Sequence, residues 1–158
     1  MTLAPSDMMC FALYSATHAM QQAYRPFLDA LGLTYPQYLV MSALWSAEAP
    51  HTVGEIGRAL HLDSSTLTPL LKRLESQGLL TRKRDDKDER QVRIHLTDRG
   101  RALQAEAAHI PSCILEATGM ALDELIALRD QVTALRDHLK RQRRREVPAA
   151  HLFDIKPM

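Results

Sequence analysis

Cys10 lies in the stretch MMCFALYSATHAMQQAY, with Tyr14 four positions on and Tyr24 fourteen positions on. At about 100° per residue, steps of four and of fourteen both return close to the starting direction. A helix here therefore lines Cys10, Tyr14, Thr17, Gln21 and Tyr24 along one stripe. Beside it Met9, Leu13, Ala16, Met20, Ala23 and Phe27 recur alternately by four and three, the spacing of a packing seam. Phenolic hydroxyls that donate hydrogen bonds to a thiolate favour the anion, and so does the first turn of a helix. A thiolate is the nucleophilic form of a cysteine. Fourteen residues rise about 21 Å along a helix, so Tyr24 cannot touch Cys10 of the same straight segment. Contact requires a bend or a second chain. Taken alone, a cysteine on a helix is more often an inert small hydrophobe.

Around that stripe the elements follow from periodicity and punctuation. The first helix is predicted from a Ser6 or Asp7 cap to about Leu31, with Gly32 as its stop and Pro26 as a bend. A second begins at Thr34, where Pro36 suits a first turn, and ends before Pro50. TVGEIGRALHL reads as a short helix that buries Val53, Ile56, Ala59 and Leu60. In DSSTLTPLLKRLESQGLL, Asp63, Ser64 or Ser65 caps a helix that Gly78 ends, with Leu67, Leu70, Leu71 and Leu74 turned inward. Pro69 is placed near its first turn. Past Gly78 the period becomes two. LLTRKR and QVRIHLT pair across the loop DDKDER, with Val92, Ile94 and Leu96 on the inner face. Thr97 or Asp98 caps a further helix, which Pro111 kinks. ALDELIALRDQVTALRDHLKRQRRR is the last, and its Leu125, Leu128, Val132, Leu135 and Leu139 keep a three-four seam that needs a partner helix.

A chain of 158 residues with 46% hydrophobic and 25% charged residues reads as soluble and ordered. It has no membrane-length apolar run and no secretory signal order, so a cytoplasmic location and no membrane partner are expected. Two cysteines, Cys10 and Cys113, are too few for a disulfide framework and lack metal-ligand spacing. The scattered histidines form no ligand set, and no phosphate-cradling glycine loop occurs, so no cofactor or metal is expected.

The formal charge of +1 hides a local excess of cations: Lys72, Arg73, Arg82, Lys83, Arg84, Lys87, Arg90 and Arg93 fall in one segment. A short helix, a tight turn, a second helix and a basic hairpin make a winged helix-turn-helix, and duplex phosphates would attract its cations. Ser65, Thr66, Thr68 and Lys72, at the start of the second helix, are placed to meet base edges in a major groove. Arg90 near the wing tip would enter a minor groove, with Asp88 holding a neighbouring arginine. A charged hairpin that is only a solvated face is the plain alternative.

The segment VGEIGRALHLDSSTLTPLLKRLESQGLLTRKRDDKDERQVRIHLTDRG resembles the core of the MarR family of dimeric winged-helix regulators, with its Asp88-x-Arg90 wing signature and LT-x-x-G step. CFALYSA, LTYPQYLVM, LDSSTLTPLLKRLE and DERQVRI together resemble the organic-hydroperoxide-sensing, OhrR-type branch. The resemblance implies that Cys10 is the peroxide-reactive residue, contacted by Tyr24 and Tyr35 of the other subunit, with Tyr14 lining the same pocket. It leaves Cys113 of the other subunit or a small-molecule thiol to resolve the oxidised form. Phe11, Met20, Phe27 and Trp45 are candidate apolar walls for an alkyl or lipid hydroperoxide.

The expected fold is mainly α with a two-stranded β-wing: a winged helix-turn-helix core over about 50–97, and N- and C-terminal helices, about 6–31 and 98–145, forming a homodimer interface. Residues 1–146 are read as a single domain and 147–158 as a tail. The expected function is a redox-sensing repressor, not an enzyme. It would bind pseudo-palindromic double-stranded operator DNA as a homodimer through Ser65, Thr66, Thr68, Lys72, Arg73, Arg84, Lys87, Asp88 and Arg90, and leave it when an organic hydroperoxide oxidises Cys10. The alternatives are a MarR-type repressor released by a non-covalent phenolic or lipid ligand, a thiol peroxidase, and a purely architectural helical dimer.

Overall fold

The computed structural model describes residues 3–47, 49–85, 88 and 90–144. The expected tail after residue 146 and the wing residue Lys87 lie outside them. The chain divides into two compact units, Met1–Ala117 and Thr118–Met158.

A single 3-10 turn, Pro5–Asp7, precedes helix α1, Met9–Leu31. The start differs from the expected Ser6 or Asp7 cap: Pro5 pulls those two residues into the tighter turn, and Met8 becomes the cap, with no side-chain bond to the helix. The end is as expected, since Gly32 adopts φ 65°, the left-handed conformation that lets its N–H return to the Asp29 and Leu28 carbonyls. Pro26 forfeits one internal bond, yet the helix runs through it. Helix α2, Tyr35–Trp45, opens on a Thr34 and Gln37 capping box with Pro36 in its first turn.

A two-residue strand β1, His51–Thr52, leads into α3, Val53–Leu60. Thr52 caps α3 by accepting from the Glu55 N–H at 3.2 Å, while the Glu55 carboxylate accepts from the Thr52 N–H at 2.7 Å. Ala59 is exposed rather than buried; the inner face of α3 is Ile56 and Gly57, flanked by Val53 and Leu60. The following turn, with His61 at φ 56°, delivers α4, Ser64–Ser76, capped by Asp63. Leu67, Leu71 and Leu74 are its inner stripe. Pro69 is the sixth residue of α4, beyond the first turn, so it costs the helix a real bond and sits on the exposed side.

Strands β2, Leu80–Arg84, and β3, Val92–Leu96, form the wing with Arg82 opposite Ile94 and Arg84 opposite Val92. β1 adds to the other edge of β3, pairing Thr52 with Arg93, so the wing is rooted in a three-stranded antiparallel sheet ordered β1-β3-β2. Helices α5, Asp98–Ala107, and α6, Ile110–Thr118, replace the kinked helix expected around Pro111. The break falls at residues 108 and 109, and Pro111 takes a first-turn position in α6 where its missing N–H costs least.

The core of this unit is built by Leu28, Tyr38, Val40, Met41, Ile56, Leu67, Leu71, Leu80, Ile94, Leu103 and Ile110, with α2 packed on α1, α3, α4 and α5. Leu79 and Gly100 approach so closely that a Cβ on Gly100 would be driven into the Leu79 carbonyl oxygen. That contact, with the Trp45 indole donating to the Gly100 carbonyl at 2.8 Å, locks α5 to the helix-turn-helix.

The second unit contains α7, Leu122–Arg144. Leu122, Ile126, Leu128, Val132 and Leu139 are exposed along it. The expected seam is thus uncovered at Leu128, Val132 and Leu139 and half-buried at Leu125 and Leu135. Among the described residues no helix is long and apolar enough to cross a membrane.

Candidate redox site and nucleic-acid interface

Cys10 is the second residue of α1, at a helix start whose N–H groups have no side-chain cap, and its thiol is exposed. Large apolar neighbours are exposed with it: Met9 at 66% and Phe11 at 44%. Tyr14, at 62%, meets the His18 ring edge-on at 4.5 Å. Exposed large apolar side chains near one another in the chain mark a surface that a partner can cover.

At the other end of α1 the phenols converge. Tyr24 and Tyr35 meet edge-on with ring centroids 5.0 Å apart, and Tyr38 lies 5.7 Å from Tyr24. Burial pushes the Tyr24 hydroxyl above its ordinary pKa, and the neighbouring phenols Tyr35 and Tyr38 add to the rise. Tyr35 is raised likewise, by burial and then by Tyr38. Both therefore stay protonated at neutral pH and keep an O–H to donate. Tyr38 was legible only as a core residue; its spacing of three from Tyr35 on α2 is the signal that places it in this cluster. Beside Tyr35 a groove of about 360 Å³ runs between His18, Gln21, Gln22, Arg25 and Pro36.

The structure thus joins Tyr24 to Tyr35 and leaves Cys10 apart from both, about 21 Å along the helix from Tyr24. Of the candidate apolar walls, Trp45 is committed to the Gly100 carbonyl and the Tyr38 ring, and Phe27 packs on His109 at 5.8 Å. Phe11 is exposed beside Cys10, and Met20 is half-buried against the core. Cys113, on α6, is a half-buried free thiol.

The second candidate surface is α4 with the wing. Ser65, Thr66, Thr68, Lys72 and Arg73 are all exposed. Asp63 organises the start of the helix, accepting from Ser65 Oγ at 2.7 Å and from the Thr66 N–H at 2.8 Å. Those bonds, the Ser65 one first, hold the Asp63 carboxyl below its usual range. Thr68 donates to the Ser64 carbonyl at 2.7 Å, which leaves its oxygen free to accept.

The cations of the wing fall into two classes. Arg82 is bound to Glu75, Nε and Nη2 each at 2.7 Å, and this pairing lowers the Glu75 pKa. Arg93 is bound through Nε to Asp85, a carboxylate only 5% exposed, and through Nη1 to the Pro50 carbonyl at 3.0 Å. These two brace the wing. Lys72, Arg73, Lys83, Arg84 and Arg90 are exposed and have no ion-pair partner among the described residues. The Asp88 carboxylate accepts from groups that shape the turn, the Arg90 backbone N–H at 3.1 Å and the Gln91 side-chain amide at 2.9 Å.

Residues 22–107 match the family of transcriptional regulators SarA/Rot. The chain is 51% identical over 144 residues to the HTH-type transcriptional regulator TtmR of Methylorubrum extorquens (strain PA1), covering 90% of this chain and 73% of that one. It is 44% identical over 133 residues to the organic hydroperoxide resistance transcriptional regulator of Bacillus subtilis (strain 168), covering 84% and 90%. Among solved structures it resembles AbfR of Staphylococcus epidermidis. The reduced form of AbfR bound to DNA matches at TM-score 0.72 and 37% identity over 85% of this chain and 93% of that one. The disulfide-formed state matches at 0.62 and 39% over 82% and 90%. With its helix-turn-helix braced against a three-stranded wing, this chain belongs to the MarR-type winged-helix transcriptional regulators, within the SarA/Rot family.

Proposed function

We propose that the protein is a homodimeric, redox-sensing repressor that leaves its operator when an organic hydroperoxide oxidises Cys10. The observation that carries this reading is the split sensor: an exposed thiol at the uncapped start of α1 and a protonated phenol pair at its far end, each unusable without a partner. Two α1 helices from different subunits, laid antiparallel, bring Tyr24 and Tyr35 of one beside Cys10 of the other. The phenols then donate to the thiolate.

The thiolate sulfur attacks the hydroperoxide; the O–O bond breaks, an S–O bond forms, and the sulfur gives two electrons to the departing alkoxide, which takes a proton to become an alcohol. Cys10 is left as sulfenic acid. Cys113 of the other subunit, as thiolate, can then attack that sulfur: S–S forms, the S–O bond breaks, and the hydroxide released takes a proton from solvent to leave as water. The similarity to a regulator named for organic hydroperoxide resistance, and to AbfR in reduced DNA-bound and disulfide-formed states, supports this chemistry.

On DNA, Ser65 and Thr66 at the start of α4, and Lys72 about two turns further along it, read base edges. Thr68, Arg73, Arg84 and Arg90 meet backbone or minor groove, and Asp88 fixes the turn that carries Arg90. A dimer sets two α4 helices one helical turn of DNA apart, about 34 Å, so a shift between subunits breaks the fit.

The test is Cys10→Ser in a DNA-binding assay with cumene hydroperoxide. Release of the wild type and retention of the mutant is expected. Equal release of both would overturn the reading in favour of a non-covalent ligand. Cys113→Ser on a non-reducing gel decides the second step: loss of the covalent dimer is expected.

A further inference from the structure

Two glutamine side chains, separated by 40 positions, connect the phenol-bearing end of α2 to the end of α4. The Gln37 carboxamide is buried, only 4% exposed. Its Oε1 accepts from the Thr34 N–H at 2.8 Å and from the Thr34 hydroxyl at 3.1 Å. A backbone N–H can only donate, so the orientation of the Gln37 amide is fixed. Its Nε2 therefore faces Gln77, donating to Oε1 at 3.4 Å. At the far side the Gln77 Nε2 donates to the Gly32 carbonyl at 3.0 Å, a group that can only accept. Both amides are thus oriented by main chain at the two ends of the relay.

Each end is strategic. Thr34 directly precedes Tyr35, and Gln37 stands one helical position from Tyr38 on α2. Gln77 is the C-terminal cap of α4, and its own carbonyl accepts from Arg99 on α5 at 2.9 Å. Gly32 is the left-handed stop of α1. The outer links run from 2.8 to 3.1 Å, whereas the amide-to-amide link is at the long end of the hydrogen-bond range and yields first.

We propose that the Gln37–Gln77 bridge is the coupling element between sensor and reader: when packing around Tyr24 and Tyr35 changes, the first turn of α2 moves, the bridge opens, and the C-terminal end of α4 keeps only its Gln77–Gly32 link to the α1–α2 junction. Gln37 and Gln77 are positioning residues, and the proposal rests on the redox reading above. Two changes cut the bridge, one from each side. Gln37→Glu keeps the acceptor for Thr34 but turns an oxygen toward the Gln77 oxygen. Gln77→Leu removes the acceptor for Gln37 together with the donor to Gly32.

The experiment uses full-length protein and a duplex selected by the reduced wild type. DNA affinity is measured by fluorescence anisotropy before and after cumene hydroperoxide, and Cys10 oxidation is followed by intact mass. Both variants are expected to oxidise within twofold of the wild-type rate, while the ratio of oxidised to reduced Kd falls at least tenfold below the wild-type ratio. A merely structural role would lower both affinities and leave that ratio alone. If Gln37→Glu fails to fold, Gln77→Leu, at a half-buried site, decides. Wild-type release together with an unchanged ratio in the variants overturns the relay and leaves the redox reading standing. A wild type whose affinity ignores Cys10 oxidation overturns both.

Discussion

The helix-turn-helix with its wing and the sensing end of α1 follow opposite structural rules. Around α4 and the wing the key polar groups are matched inside one chain: Asp63 to Ser65 and Thr66, Glu75 to Arg82, Asp85 to Arg93, Asp88 to the wing turn, Trp45 to Gly100. At the start of α1 Cys10, Met8, Met9, Phe11 and Tyr14 are exposed, and the helix has no side-chain cap. The first region is finished by its own sequence; the second, on the function proposed above, is half of a site. A regulator benefits from the division, because the rigid half holds a shape for DNA while the open half answers to what covers it.

The sharpest way to break the finished half is at Gly100. A methyl group there has nowhere to go, since it is driven into the Leu79 carbonyl oxygen and to 3.2 Å from Leu96 Cδ2. Gly100→Ala is expected to cost about 3 kcal/mol, the upper range for overpacking, and to appear as a lower urea midpoint with DNA binding lost alongside. A midpoint equal to wild type would show that α5 is free to shift.

Breaking the unfinished half should leave stability nearly alone and change chemistry. Hydrogen bonds to a charged group contribute about 1.5 kcal/mol or more, so removing either hydroxyl, in Tyr24→Phe or Tyr35→Phe, is expected to slow Cys10 oxidation by cumene hydroperoxide about tenfold. The reduced variants should bind DNA as wild type does. Stopped-flow loss of free thiol measures the rate, and unchanged rates in both would separate the phenols from the sulfur.

Within the finished half, the two classes of cation can be told apart by salt. Arg73→Ala, Arg84→Ala or Arg90→Ala should each reduce the slope of log affinity against log salt by about 1, the mark of one lost phosphate contact. Arg82→Ala should leave the slope unchanged, because Glu75 already neutralises that guanidinium. An equal loss from Arg82 would mean that the pair opens on DNA.

Much of this was legible in sequence because local signals carry it. Gly32, the Thr34 start, the Asp63 cap and the leucines of α4 each act within one turn of themselves, and the change from a period near 3.6 to one of two marked the wing. Tertiary neighbours hid the rest. Ser6 and Asp7 look like caps until Pro5 draws them into a 3-10 turn. Arg82 and Arg93 look like free charges until folding brings Glu75 and Asp85 to them. The two-residue β1 is too short to leave a pattern, and the Gln37–Gln77 contact spans 40 positions. Tyr24 and Tyr35 were named by resemblance, whereas their contact with each other and with Tyr38 is a product of α1 lying on α2.

The smallest effect is a titration, and it tests most directly whether the open half is covered by another chain. Tyr24 and Tyr35 both stand above the usual phenol value of 10.0, by burial first and by neighbouring phenols second. Their folded values exceed the unfolded one, so the stability they contribute is complete below about pH 10 and is lost as pH rises through the raised values. Replacing both by Phe is therefore expected to remove the late, high-pH part of the tyrosinate absorbance rise at 295 nm. Its stability difference from wild type should stay level from about pH 6 to 9 and change only above 10. A sulfur anion held beside a phenol opposes a second negative charge. If a partner places Cys10 against this pair, Cys10→Ser must move the late phase of an otherwise wild-type dimer to lower pH. Within one chain sulfur and phenols are about 21 Å apart, too far in water and salt to produce such a shift, so an unmoved curve would mean that the two halves of the sensor never meet.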